Sequence, residues 1–281
     1  MAFIFRQTAL GMALALSFVL TLAGAAGAAA ERERVETFLE VTGFDVALES
    51  IRLSADSAPA MLGLAADDFG SEWSRLVDDV FATSVMHDMG LEILEKTLPE
   101  DLLEHGIAFY GSELGQRLVA TENDAHMEEE EGFKAEAGGA ILEGLRGMDS
   151  DRVAILERLN AASAVEDTSI AAMQEVQIRF LLAAAAAGVI ELRMEEPDLR
   201  EAMRSEREAL REGLRESALE GAAYTYQAFT DEELITYAEA LEDPKMQQVY
   251  ELMNAVQYEI MANRFEAVAE RLSEMQPSQD L

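Results

Sequence analysis

The chain has 281 residues, with 21 lysines and arginines against 55 aspartates and glutamates, a formal net charge of −34, and no cysteine. That balance repels nucleic acid and anionic lipid headgroups, whose recognition rests on Lys and Arg. The missing cysteine excludes disulfides, thiolate metal sites, a Cys nucleophile and a lipid anchor on an N-terminal Cys.

Residues 1–30 read as a secretory signal peptide. Arg6 is the one charged residue before Glu31, Ala9 to Ala23 is almost wholly apolar, and Ala28 and Ala30 occupy the small-residue positions of a cleavage site before Glu31. The expected address is a bacterial periplasm. A mature chain of this length buries enough apolar surface to fold there without disulfides.

Beyond residue 30 the helix formers Ala, Leu, Glu, Met, Arg and Gln dominate, and alternating β-branched runs are missing. The five prolines, at positions 59, 99, 197, 244 and 277, all stand where helices begin or end. The pattern predicts an all-α, multi-helix bundle. Its helices are expected near 33–53, 67–82, 84–96, 99–110, 113–145, 150–163, 167–194, 197–226, 231–242 and 244–274.

Two stretches 131 residues apart share a pattern: LPEDLLEHGIAFYGSELGQRL, Leu98 to Leu118, and FTDEELITYAEALEDPKMQQV, Phe229 to Val249. Each opens on an apolar residue and acids suited to a helix start, runs as a short amphipathic helix, breaks and restarts. Leu102, Leu103, Gly106, Ile107 and Tyr110 share one face in the first copy; Leu234, Tyr237, Ala238 and Leu241 do so in the second. The stripe resumes through Leu114 and Leu118, and through Met246, Val249, Met253, Val256 and Ile260. Only Leu103/Leu234 and Gln116/Gln247 are identical between the copies, so the likeness lies in pattern. Two similar helical halves are expected, 31–147 and 148–281, divided near Gly138, Gly139, Gly144, Gly147 and Asp149-Ser150-Asp151.

FYGSELGQRL, Phe109 to Leu118, resembles the FYxSPxGxKL-like signature of an exported bacterial family, domain of unknown function 2059. ALEDPKMQQV, Ala240 to Val249, keeps the acid-then-Pro turn that the first copy lacks at Glu113, but loses the aromatic pair and the glycine. The resemblance implies an all-α exported protein and brings no activity with it. The residues of the motif, Phe109, Tyr110, Ser112, Gly115, Leu118, Leu234, Leu241, Asp243 and Pro244, read as a structural corner. Phe109 and Tyr110 seal a helix end, Gly115 permits close packing after the bend, and Asp243-Pro244 is a capped helix start.

Ile178 to Ile190 is the most apolar stretch after residue 30, but its uncharged part is too short for a membrane span and reads as a buried helix. None of His87, His105 and His126 has Glu three residues before it, so the Glu-x-x-His pattern of di-iron bundles is absent. Glu122 and His126 lie four apart, followed by Glu128 to Glu131. A weak divalent site competes there with a solvated acidic face, and repeated like charges favour the face. Gly111-Ser112 is not a nucleophile elbow, and no phosphate-binding glycine loop occurs. Trp73 and the methionine stripe of Met246, Met253 and Met261 suit core packing, and the stripe would suit an apolar groove as well. No cofactor or metal is therefore expected. The leading expectation is a non-catalytic binding or scaffolding protein of the envelope, with an envelope protein or a hydrophobic peptide or lipid as partner. A chaperone-like or hydrophobic-ligand carrier and an envelope hydrolase are the alternatives.

Overall fold

The computed structural model describes residues 31–64, 71–128, 132–163 and 166–275; the expected signal peptide lies outside them. Among the described residues every regular element is helical, and the protein is all-α.

Helix α1 (31–42) is followed by α2 (Phe44–Ser50), a 3-10 segment (Ile51–Ser57) and the single turn α3 (Ala58–Met61). One continuous helix was expected over 33–53. The chain instead breaks at Gly43, where φ is +72°, a conformation that side chains resist. A Cβ there would also lie 2.6 Å from the Asn123 side chain, so the break lets a later helix approach closely.

Helices α4 (Ser71–Val80), α5 (Thr83–Thr97), α6 (Glu100–Tyr110) and α7 (Glu113–His126) follow. The expected helix over 113–145 is two helices, α7 and α8 (Phe133–Gly147). All four glycines of the expected boundary lie within α8. Gly138 serves packing: a Cβ there would meet the Glu220 carbonyl oxygen at 2.0 Å, so backbones touch at that crossing.

Helices α9 (Arg152–Ser163) and α10 (Glu166–Ala186) come next, α10 ending well short of the expected residue 194. The span expected as one helix, 197–226, is α11 (Glu196–Ser205) and α12 (Arg207–Thr225), meeting at Glu206. Helices α13 (Asp231–Leu241) and α14 (Pro244–Met275) complete the chain.

The 32-residue α14 is the spine, packing against α4, α5, α6 and α10, while α8 pairs with α12 and α9 with α13. Its Met246, Val249, Val256 and Ile260 are buried, and Met253 and Met261 pack on the core. One core cluster runs from Val35 to Leu272, with Trp73 in it. In the apolar stretch of α10, Ile178, Phe180 and Ala184 are buried, and no helix among the described residues is long and apolar enough to cross a membrane. Arg179 of α10 adds a clamp, donating to Glu266 at 2.7 and 2.8 Å and to Glu259 at 2.8 Å on α14.

Candidate functional site

The two hairpins of the repeated pattern share the length of their first helix and of the break after it. Helices α6 and α13 are both 11 residues long, each followed by a two-residue break, and both breaks map onto each other at the 131-residue spacing. The buried faces are Leu102, Leu103, Gly106 and Tyr110 in α6, and Leu234, Tyr237, Ala238 and Leu241 in α13. Ser112 caps α7 by accepting from the Gly115 backbone N–H at 3.1 Å. Asp243 serves the start of α14 by accepting from the Lys245 N–H at 2.8 Å, with Pro244 as its first residue. Thr230 and Glu233 form a capping box at the start of α13. A Cβ on Gly115 would lie 2.3 Å from the Phe109 carbonyl oxygen, so the first bend is closed against its own preceding helix. Leu118 is fully buried beneath it.

The hairpins meet, and their junction gathers side chains from five elements. Phe109 stacks on Tyr237, centroids 5.8 Å apart and planes 6° from parallel. The Tyr110 hydroxyl is bonded to that of Tyr250 and lies 3.3 Å from that of Tyr237. Tyr237 and Tyr250 are 3.0 Å apart. Both the Tyr237 hydroxyl, at 2.8 Å, and the Tyr226 hydroxyl, at 2.7 Å, donate to Oε1 of Glu122. Four of the six tyrosines in the chain thus join one network, two of them directly on the carboxyl group.

Donor accounting fixes the direction of this network. A tyrosine hydroxyl has one proton to give. With the protons of Tyr226 and Tyr237 committed to Glu122, one proton of the Tyr110–Tyr250 pair bonds within that pair and the other is left for Tyr237 to accept. The hydroxyl dipoles therefore run toward the carboxylate.

Outside supports hold the site together. Half-buried Arg152 donates to Asp231 at 2.5 Å and to the carbonyls of Tyr226 and Phe229 at 2.7 and 2.8 Å, fixing the link from α12 to α13. Arg117 of α7 lies 5.0 Å above the Phe229 ring and pairs with Glu233 at 2.5 Å. Lys245 reaches Asp101 at 3.0 Å, and His105 reaches Asp243 at 3.2 Å. Gln116 donates to the Tyr110 carbonyl at 2.7 Å, holding that residue at the end of α6.

Two cavities share the network as a wall. One, of about 220 Å³, lies toward α1, α2 and α14 and includes Gly43, Asn123, Met253 and Gln257 in its lining. The other, of about 550 Å³, lies between α7, α8 and α12 and includes Lys134, Ser217, Gly221 and Thr225. Glu122, His126 and Tyr250 line both. Among the described residues both hydrogen bonds to Glu122 fall on Oε1 and none on Oε2, and Glu122 lines both cavities.

Burial pushes the Glu122 carboxyl above the usual range, with the two tyrosine hydrogen bonds opposing the rise. Burial likewise holds Tyr110, Tyr226, Tyr237 and Tyr250 in the neutral form. His126 is pushed down by its protein surroundings and by the Lys134 ammonium. That ammonium donates to the Ala125 carbonyl at 2.5 Å.

Tyr110, Leu234 and Leu241 lie on the buried faces of α6 and α13, while the convergence of Tyr226, Tyr237, Tyr250 and Glu122 was missed from the sequence. The solvated-face reading fails at Glu122, because buried Tyr237 and partly buried Tyr226 hydrogen-bond it. One signal was present: Glu122 continues the stripe of buried Leu118 and Val119 by three- and four-residue steps, where an apolar residue belongs. Among the described residues no group of three or more His, Asp or Glu is placed to hold a metal ion.

The molecule is thus an all-α bundle with a partly buried carboxyl at the meeting of two helical hairpins. Residues 84–143, from α5 into α8, match the model of a family described as an uncharacterized protein conserved in bacteria, DUF2059. This span carries the first motif, Tyr110 and Glu122, and confirms the family resemblance there; Tyr226, Tyr237 and Tyr250 lie beyond it. No curated protein and no solved structure matches the chain.

Proposed function

We propose that this protein is exported to the bacterial envelope by residues 1–30 and works by binding a small ligand in the paired cavities at Glu122. The observation that carries the reading is the half-satisfied carboxyl. Oε1 accepts from buried Tyr237 and partly buried Tyr226, Oε2 accepts from no group among the described residues, and Glu122 lines both cavities. Holding a carboxyl among rings costs solvation free energy, and a ligand donor at Oε2 would offset it. The larger cavity falls in the size range of small-molecule sites, and its mix of apolar wall and a few converging polar groups suits one. These dimensions favour a compact polar ligand over the hydrophobic peptide or lipid chain also weighed from sequence.

The hydrolase reading retains one supporting observation, an acid and a histidine, Glu122 and His126, lining the same cavities. His87 and His105 stand on α5 and α6, and His105 is engaged with Asp243.

The test is native mass spectrometry on protein expressed from the full chain and released from a bacterial periplasm by osmotic shock. The expected species starts at Glu31 and carries a noncovalent small-molecule adduct. An uncleaved chain retained in the cytoplasm or membrane contradicts export, and a bare mature chain contradicts binding. Chemical change in the released adduct, prevented by His126→Ala, would favour hydrolysis.

A further inference from the structure

We infer that the ligand of the larger cavity carries a single ammonium group that pairs with Oε2 of Glu122. This rests on the binding reading above and names the ligand class. Oε1 is already saturated by two hydroxyl donors, so the open valence of the carboxyl lies on Oε2. The four hydroxyls cannot supply a further donor there, since the protons of Tyr226 and Tyr237 point at Oε1 and Tyr110 and Tyr250 bond within the tyrosine set. A group that accepts two strong hydrogen bonds and offers a bare oxygen calls for a donor from outside, and a charged donor binds it best. The aromatic rings of Tyr226, Tyr237 and Tyr250 on the same wall suit a cation as well, because their faces carry negative potential. The chain's net charge of −34 raises the local concentration of cations of any kind.

A cation already in the lining sets the limit of one charge. Lys134 also lines it, tied to the carbonyl of Ala125, and after burial it is the second cause that disfavours the His126 imidazolium. A ligand with a second ammonium would meet Lys134. A ligand with an apolar or hydroxylated tail would meet Ala135, Ser217 and Thr225 instead.

The probes are three molecules of matched size: phenethylamine, 2-phenylethanol and 3-phenylpropionate. Binding to the periplasmically released protein is followed by NMR shift perturbation. Phenethylamine is expected to bind at least about tenfold more tightly than the other two, the difference a charged hydrogen bond gives. Glu122→Gln should remove that preference. Should Glu122→Gln fail to fold, Gly221→Leu gives the same information. A Cβ at Gly221 meets nothing within 4 Å, so the leucine occupies the cavity beside an intact Glu122 and abolishes phenethylamine binding without unfolding the chain. Preference for phenylpropionate, equal binding of all three, or phenethylamine binding that survives Gly221→Leu overturns the inference. A nonamine adduct on protein taken from cells overturns it too, yet leaves the binding reading standing. No adduct from cells and no binding of any probe overturns both.

Discussion

The hairpin formed by α6 and α7 and the hairpin formed by α13 and α14 have the same first-helix length, the same two-residue break and equivalent buried leucines, Leu103 and Leu234, though α14 is far longer than α7. They differ at every position that builds the site. Tyr110 stands where the second hairpin has Leu241, Tyr237 where the first has Gly106, Tyr250 where the first has Val119, and Glu122 where the second has Met253. What is shared is therefore the frame, fixed by caps and core leucines. What differs is the polar content, and the site exists because the two frames face each other with unlike side chains. A symmetric pair would place two carboxyls or none at the junction.

The largest effect should come from exchanging the residues at the bend. Gly115→Met installs the residue of the second hairpin, Met246, where a Cβ already meets the Phe109 carbonyl at 2.3 Å. It is expected to cost more than the ~1–3 kcal/mol typical of overpacking, leaving little folded protein by circular dichroism. Next come the shared leucines: Leu103→Ala and Leu234→Ala should each cost ~2–5 kcal/mol in urea unfolding, and a large inequality between them would break the equivalence of the frames. Tyr237→Phe removes one donor from Glu122 and should cost ~1.5–3 kcal/mol, with Tyr226→Phe in the same range. Loss of the caps comes last, Ser112→Ala lowering stability by ~0.5–2 kcal/mol and Thr230→Ala by a similar amount.

A pH series sharpens the comparison further. Glu122 has a folded-state pKa above its unfolded one, so its titration stabilises the fold fully below the ordinary glutamate range and loses that contribution as pH rises through the raised value. The wild type should therefore gain stability relative to Glu122→Gln as pH falls from neutral toward 4. Of the groups facing it, Tyr110, Tyr226, Tyr237 and Tyr250 stay neutral across that range. His126, pushed the other way, is present in both proteins and drops out of the difference.

Much of the frame was legible because it is local. The face of α13, Leu234, Tyr237, Ala238 and Leu241, follows from three- and four-residue spacing, and the stops at Ser112 and Asp243 follow from capping chemistry. Interior breaks were not legible where ordinary helix formers continue through them, as at Glu206, or where a tertiary approach decides, as at Gly43 against Asn123. The site was the least legible part. Tyr110, Glu122, Tyr226, Tyr237 and Tyr250 come from separate elements spread over 140 residues, and hydroxyl-to-carboxyl distances depend on how α7, α13 and α14 pack. A glutamate on an apolar stripe was the one trace it left in the sequence.

The central claim is that the junction of the hairpins holds a desolvated carboxyl, and carbon-detected NMR titration of the glutamate side-chain carboxyls tests it most directly. The account predicts one glutamate titrating above all the others, absent in Glu122→Gln and shifted further upward in Tyr226→Phe, where a hydrogen bond that favours the charged form is gone. A spectrum in which every glutamate titrates in the ordinary range, unchanged in both variants, would contradict it.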